Sequence, residues 1–146
     1  MANAAVVEPR RVLIVGDGDL SYSLALQRAF GEIIQLTATV LPTAEELVAT
    51  YTNAAANAAE LQGCGAAVQY GVDATALTTA ELRMDASGLY DDVAFNYPHL
   101  GDSGLADEAA HARRHSVLIA HFLHEAAAML RPGGRAHLTL SGKQRT

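Results

Sequence analysis

The first patterned segment is Arg11-Val12-Leu13-Ile14-Val15, an apolar, β-branched run ended by Gly16-Asp17-Gly18-Asp19. So short a continuous apolar run, stopped by glycine, predicts a strand buried on both faces. Over residues 20–30 the apolar positions Leu20, Leu24, Ala25, Leu26 and Phe30 fall at helical spacing. They predict a helix of about three turns, ended by Gly31. Residues 33–40 predict the second strand, which Pro42 ends. Thr43 with Glu46 three residues on is a capping-box pattern, and the helix it starts runs through Glu45, Leu47, Val48 and Tyr51. An alanine-rich helix at residues 53–62 follows, broken by Gly63 and Gly65.

Residues 66–72 predict a third strand, closed by Asp73, and residues 74–83 read as a short helix or an irregular segment. A fourth strand lies within residues 89–96 and runs into Asn96-Tyr97-Pro98-His99. A long helix spans residues 107–130. Leu118, Phe122 and Met129 line one edge of its apolar face, with Ile119, Leu123, Ala126 and Leu130 beside them. Arg131-Pro132-Gly133-Gly134 stops it, and residues 135–140 predict the fifth strand. Regular alternation of strand and helix implies right-handed crossovers and a parallel sheet with helices on both faces. Ligands of such a sheet bind beyond the carboxyl ends of the strands, where strand order reverses.

Composition narrows the class without choosing a function. Half of the residues are hydrophobic and 18% are charged, which fills a core and excludes a disordered chain. At 146 residues the chain fits one domain; residues 1–10 read as a loose arm and 11–146 as that domain. No apolar run reaches the roughly 18–20 residues of a membrane span, and residues 1–11 lack the apolar core of a signal sequence. With Cys64 as the single cysteine, no intrachain disulfide can form, and a soluble intracellular protein is expected. Charge is uneven. Residues 1–110 hold four arginines against fifteen acids, whereas residues 111–146 hold five arginines and a lysine against one acid. A basic C-terminal third suits phosphates, or is scattered surface charge.

The chemistry sits at the strand ends. In Gly16-Asp17-Gly18-Asp19-Leu20-Ser21 the glycines allow a sharp turn and close approach of a ligand. A dinucleotide fingerprint would place a third glycine where Ser21 stands, and Asp17 and Asp19 would repel a pyrophosphate. They suit a cationic, hydroxyl-bearing ligand such as S-adenosylmethionine, or they cap the next helix. No Gly-Lys-Ser/Thr motif of a phosphate-binding loop is present. Asp73 can accept from an adenine amino group, or cap the segment after it. Asn96, followed by Pro98, can orient a planar nitrogen, and His99 is a candidate general base near neutral pH. Tyr97 could stack on a base, but strand alternation favours the core for it.

Taken in order, Gly16-Asp17-Gly18-Asp19-Leu20-Ser21-Tyr22-Ser23, Leu36-Thr37-Ala38-Thr39, Gly71-Val72-Asp73-Ala74-Thr75, Phe95-Asn96-Tyr97-Pro98-His99 and His137-Leu138-Thr139-Leu140 resemble the successive blocks of the large-subunit rRNA uridine-N3 methyltransferase-like domain. The resemblance covers residues 11–142. It implies a Rossmann-like class I methyltransferase fold, a three-layer α/β sandwich with five mainly parallel strands. It also implies S-adenosylmethionine as donor, N3 of a uridine in rRNA as acceptor, and nucleolar or cytoplasmic residence. Gly16, Asp17, Gly18, Asp19 and Ser21 match its donor-binding loop, Asp73 its acidic position near adenine, and Asn96, Pro98 and His99 the block nearest the transferred methyl. Strand two ends without the usual ribose-binding acid, so Glu45, Glu46 or Asp19 would substitute. The family continues past strand five, so its C-terminal strands are expected to be missing here. A partner or a missing segment would then cover the sheet edge near Leu138.

Other readings use the same residues. Asp17 as nucleophile with Asp19 as acid/base suits a Mg²⁺-dependent phosphotransferase, but the only lysine is Lys143, at the chain's end. His111, His115, His121 and His124 have the spacing of ligands on one helix, without an identifiable third ligand; surface or capping histidines are the better reading. A third possibility is a module that binds donor or RNA without turnover.

Overall fold

The computed structural model describes residues 7–82, 89–99 and 108–141. Its elements are β1 (Arg10–Val15), α1 (Ser21–Phe30), β2 (Ile34–Thr39), α2 (Ala44–Thr50), α3 (Ala54–Gly63), β3 (Ala67–Gln69), β4 (Tyr90–Asn96), α4 (Glu108–Met129) and β5 (Leu130–Thr139). The five strands form one sheet in the order β3-β2-β1-β4-β5, and every ladder is parallel.

Alternation along β1 decides the layers, because successive strand side chains point to opposite faces. Val12 and Ile14 join a buried cluster with Leu24 of α1, Leu47 of α2 and Leu61 of α3. Leu13 and Val15 join a second cluster with Val93, Phe95 and, from α4, Phe122, Ala126 and Met129. The sheet is therefore covered on both faces, as the uninterrupted apolar run of β1 requires. Phe122 is fully buried, with its ring centroid 5.1 Å from that of Phe95. Truncating such a side chain costs about 3–5 kcal/mol, so this pair anchors α4 beneath the end of β4.

Two segments, β3 and β5, differ from the sequence expectation; between them, residues 74–82 take the irregular form rather than the short helix. β3 keeps only three residues of the expected seven. After Gln69 the chain leaves the ladder: Gly71, at φ +68°, donates its N–H to the Pro42 carbonyl, and the Val72 N–H goes to Val40. The following segment to Leu82 is a series of turns that nevertheless buries Leu77 and Leu82. At the other edge, helix gives way to strand at Leu130, before the glycines. Leu130 opposes Tyr90 and Arg135 opposes Asp92, so Pro132-Gly133-Gly134 bulges out of β5 rather than simply stopping a helix.

The buried residues of α4 are His115, Phe122, Ala126 and Met129; the last three belong to the expected apolar face, whose Leu118 and Ile119 are half-buried and whose Leu123 is exposed. Leu123 is exposed because it lies one residue, about 100°, round the helix from Phe122. Two positions read as part of a surface histidine array and an apolar face thus exchange roles: His115 is inside and Leu123 outside.

Strand order reverses between β1 and β4. β2 and β3 lie on one side of β1, and β4 and β5 on the other. The crevice for a ligand falls above the carboxyl ends of β1 and β4, where Val15 pairs with Phe95 and Asn96 with Thr139.

Candidate functional site

The turn after β1 takes three left-handed residues in five: Gly16 (φ +63°), Gly18 (φ +66°) and Leu20 (φ +70°). The glycines adopt this freely. Leu20 is held there by complete burial and by the Leu24 N–H, which donates to its carbonyl at 3.0 Å. Both acids of the turn reach the start of α1. Asp17 Oδ2 accepts the Ser23 N–H at 2.8 Å, and Asp19 Oδ1 accepts that of Ser21 at 3.0 Å. They satisfy donors that the first helical turn leaves without intrahelical partners. Burial pushes the Asp17 carboxyl above its ordinary value; hydrogen bonds from Ser23 oppose this, and the Asp19 charge reinforces it.

At the end of β2 the Thr39 hydroxyl donates to the Ile14 carbonyl at 2.9 Å, so it ties two strands together. Glu46 is committed to the capping box with Thr43 that the sequence predicts, and Glu45 is exposed. At the end of the third strand region, Asp73 Oδ1 accepts both the N–H and the hydroxyl of Thr75, at 2.8 and 2.7 Å.

β4 ends in a sharp change of direction. Asn96 is half-buried, Tyr97 is left-handed at φ +51°, Pro98 is buried and His99 exposed. The Tyr97 N–H donates to the Thr139 carbonyl at 2.8 Å, and the Pro98 carbonyl meets His115 Nε2 at 3.1 Å. The expectation that Tyr97 turns into the core is overturned: its side chain is 58% exposed. Alternation would return residue 97 to the face of Phe95, but a positive φ at the strand end breaks the alternation.

Two cavities flank this tyrosine. One, of about 220 Å³, has apolar walls from Val40, Leu41, Val72 and Leu118 and polar groups from Tyr51, Asp73 and His99, with Gly16 and Gly18 beside them. The other, of about 330 Å³, is lined by Asp17, Tyr22, Asn96 and Thr139. Gly16 and Tyr97 belong to both. The structure thus gathers Gly16, Gly18, Asp73 and His99 at the first cavity, and Asp17 and Asn96 at the second. Asp19, Ser21 and Pro98 line neither, and neither do Glu45 and Glu46. Among the described residues, Asp73 is the only carboxylate in the wall of the first cavity.

Sequence reading missed Tyr22 and Tyr51, because each sits in a helical pattern that assigns it to packing. It also missed His115, whose two polar neighbours Arg114 and Ser116 suggest a solvent face. Among the described residues, no group of three or more His, Cys, Asp or Glu could hold a metal ion, and no helix is long and apolar enough to cross a membrane.

A family model described as rRNA (uridine-N3-)-methyltransferase BTM5-like matches residues 13–146. Heavy metal-associated isoprenylated plant protein 41 of Arabidopsis thaliana is 34% identical over 134 residues, 91% of this chain and 25% of that one. The uncharacterized protein At4g26485 of the same plant is 33% identical over 132 residues, 88% of this chain and 62% of that one. The chain therefore spans from a quarter to about three-fifths of the length of these relatives. The crystal structure of TrmN from Thermus thermophilus superposes with a TM-score of 0.58 at 24% identity, over 90% of this chain and 33% of that one. That likeness is one of fold: an open parallel α/β sheet of Rossmann-like architecture.

Proposed function

Because the chain belongs to the BMT5-like rRNA (uridine-N3-)-methyltransferase family, we propose that it transfers a methyl group from S-adenosylmethionine to N3 of a uridine in rRNA. The observation that carries this reading is the pair of cavities meeting at Gly16 and Tyr97 above the ends of β1 and β4. The first fits an adenosyl group. Its apolar walls suit a planar ring, Asp73 offers an acceptor for an amino group, and Gly16 and Gly18 leave backbone bare for close approach. Asp17, at the second cavity, supplies a counter-charge for the ammonium of the donor's amino-acid end. When bound, S-adenosylmethionine supplies an electrophilic methyl group on a sulfonium sulfur.

The chain's own task is to present N3 of the base in the right orientation. N3 carries a proton and is a weak nucleophile until that proton is drawn away. In this reading the Asn96 side-chain carbonyl, in the wall of the second cavity, accepts a hydrogen bond from N3–H, and the proton passes to solvent water as the nitrogen takes the methyl group. The exposed Tyr97 ring offers a face on which a pyrimidine stacks. Holding two reactants in register supplies most of the rate in such a reaction. His99, in the wall of the first cavity rather than beside Asn96, serves donor binding in this arrangement.

Calorimetric titration with S-adenosylhomocysteine tests the donor half. Labelled methyl incorporation into rRNA, followed by nucleoside identification, tests the acceptor half. A product other than N3-methyluridine would replace the acceptor assignment, and no heat with either donor or demethylated donor would end the reading.

A further inference from the structure

Resting on that reading, we infer that His115 is a positioning residue that fixes the Asn96–His99 turn through the Pro98 carbonyl. A carbonyl oxygen only accepts, so at 3.1 Å the hydrogen lies on His115 Nε2 and the imidazole donates. His115 is 8% exposed, on the buried stripe that α4 otherwise fills with Phe122, Ala126 and Met129. An apolar side chain would satisfy that stripe. A buried imidazole carries a desolvation cost that only a hydrogen bond offsets, so the polar residue here acts on its partner.

That partner belongs to the turn whose Asn96, Tyr97 and His99 reach the two cavities. The Tyr97 N–H is held by Thr139 of β5, and the Pro98 carbonyl by His115 of α4. Between these two anchors lies the left-handed backbone of Tyr97, a conformation that a residue with a side chain keeps only when its surroundings impose it. With the α4 anchor removed, the turn relaxes toward ordinary φ. Tyr97 and Asn96 then leave the second cavity, while Gly16, Gly18 and Asp73 stay where β1 and the loop after β3 hold them. The bond therefore governs acceptor orientation first, and touches donor binding only through Tyr97 and His99, which the same turn carries into the wall of the first cavity.

The test compares the wild-type chain with His115→Leu and His115→Gln, the glutamine amide reaching as far as imidazole Nε2. Three quantities are read: methyl transfer to rRNA, affinity for S-adenosylhomocysteine, and amide exchange at Tyr97. The leucine variant is expected to lose about 10²-fold in kcat, to lose no more donor affinity than His99→Ala does, and to lose protection at the Tyr97 amide but not in α1. The glutamine variant restores most of the rate and the protection. A leucine variant with unchanged kcat and Tyr97 protection overturns the inference. So does one that loses donor affinity and protection throughout, or a glutamine variant no better than leucine. If the wild type neither binds donor nor transfers methyl, the functional reading fails separately. Exchange at Tyr97 then decides the positioning role alone: loss in leucine with recovery in glutamine supports it, and no change overturns it.

Discussion

A Cβ placed on Gly16 would lie 3.2 Å from the ring of Phe95. That ring cannot retreat, because it is buried and packed on Phe122. The turn that approaches the ligand and the core beneath it are therefore one structure. Gly16→Ala incurs both a left-handed φ, about 1 kcal/mol, and a crowded contact, about 1 kcal/mol more. Gly65→Ala is the control: its φ is +90° but nothing lies within 4 Å of the added carbon. Urea unfolding should show Gly16→Ala to be the more destabilised, with donor affinity lowered in that variant only. Equal losses in the two would mean that Phe95 yields.

Asp17 permits a separation of stability from binding. Burial raises its folded pKa above the unfolded value. Its contribution to stability is therefore present below the ordinary carboxylate pKa and is lost as pH rises through the raised one. Asn at this position keeps an oxygen for the Ser23 N–H and never ionises. Asp17→Asn should be as stable as the wild type or more so at pH 7, with the gap closing in acid. Donor affinity should nevertheless fall about tenfold or more, since a charge-assisted contact is lost. Melting curves at pH 3.5 and pH 7, beside a titration at pH 7, check both halves. A variant that melts lower at pH 7 and binds normally would make Asp17 a helix cap alone.

Much of this was legible in the chain because the signals are local. The apolar run of β1, the Thr43–Glu46 capping box and the alternation of strand with helix each follow from near neighbours, and together they specify a parallel sheet with its crevice at the strand ends. What stayed hidden depends on distant partners. β3 is short because Gly71 and Val72 turn back to Pro42 and Val40. The bulge of β5 needs Tyr90 and Asp92 opposite it. Tyr97 stands out from the surface through a backbone angle that alternation cannot foresee. His115 lies inward because it stands two turns before Phe122 on the stripe that packs against the sheet, and residue type alone does not distinguish a buried histidine from an exposed one.

Far from the cavities, Asp92 joins three strands. Its Oδ2 accepts from Arg10 Nε and Nη2 of β1 at 3.0 and 2.8 Å, and its Oδ1 lies 2.9 Å from His137 Nε2 of β5. Burial pushes this carboxyl up, but the hydrogen bonds from His137 and Arg10 outweigh it and hold it below the ordinary value. Stability from a depressed carboxylate is present above its unfolded pKa and lost as pH falls through the folded one. Arg10 is more than half exposed, so solvent screening limits the effect. Asp92→Asn should cost about 1 kcal/mol at pH 7 and less at about pH 2, as acid begins to protonate the depressed carboxyl. Donor binding should be unchanged. Denaturant midpoints at the two pH values measure it, and a loss that persists undiminished in acid would assign the effect to packing.

The last prediction divides Asn96 from His99. They follow one another closely in sequence but line different cavities, on either side of Tyr97. On the proposed reading, Asn96→Ala removes the acceptor for N3–H. It should lower kcat by about 10²-fold or more while donor affinity stays within about threefold. His99→Ala should do the reverse, raising the donor KM several-fold with a smaller change in kcat. The pH profile distinguishes this from general-base catalysis. A histidine that takes the proton leaves an acid limb in kcat near its own pKa, about 6.5 in the unperturbed side chain, and that limb vanishes in the alanine variant. We expect the limb, if the wild type shows one, to survive in His99→Ala. Its disappearance would return His99 to the role of base and require the turn to swing it toward Asn96 when donor and RNA are bound.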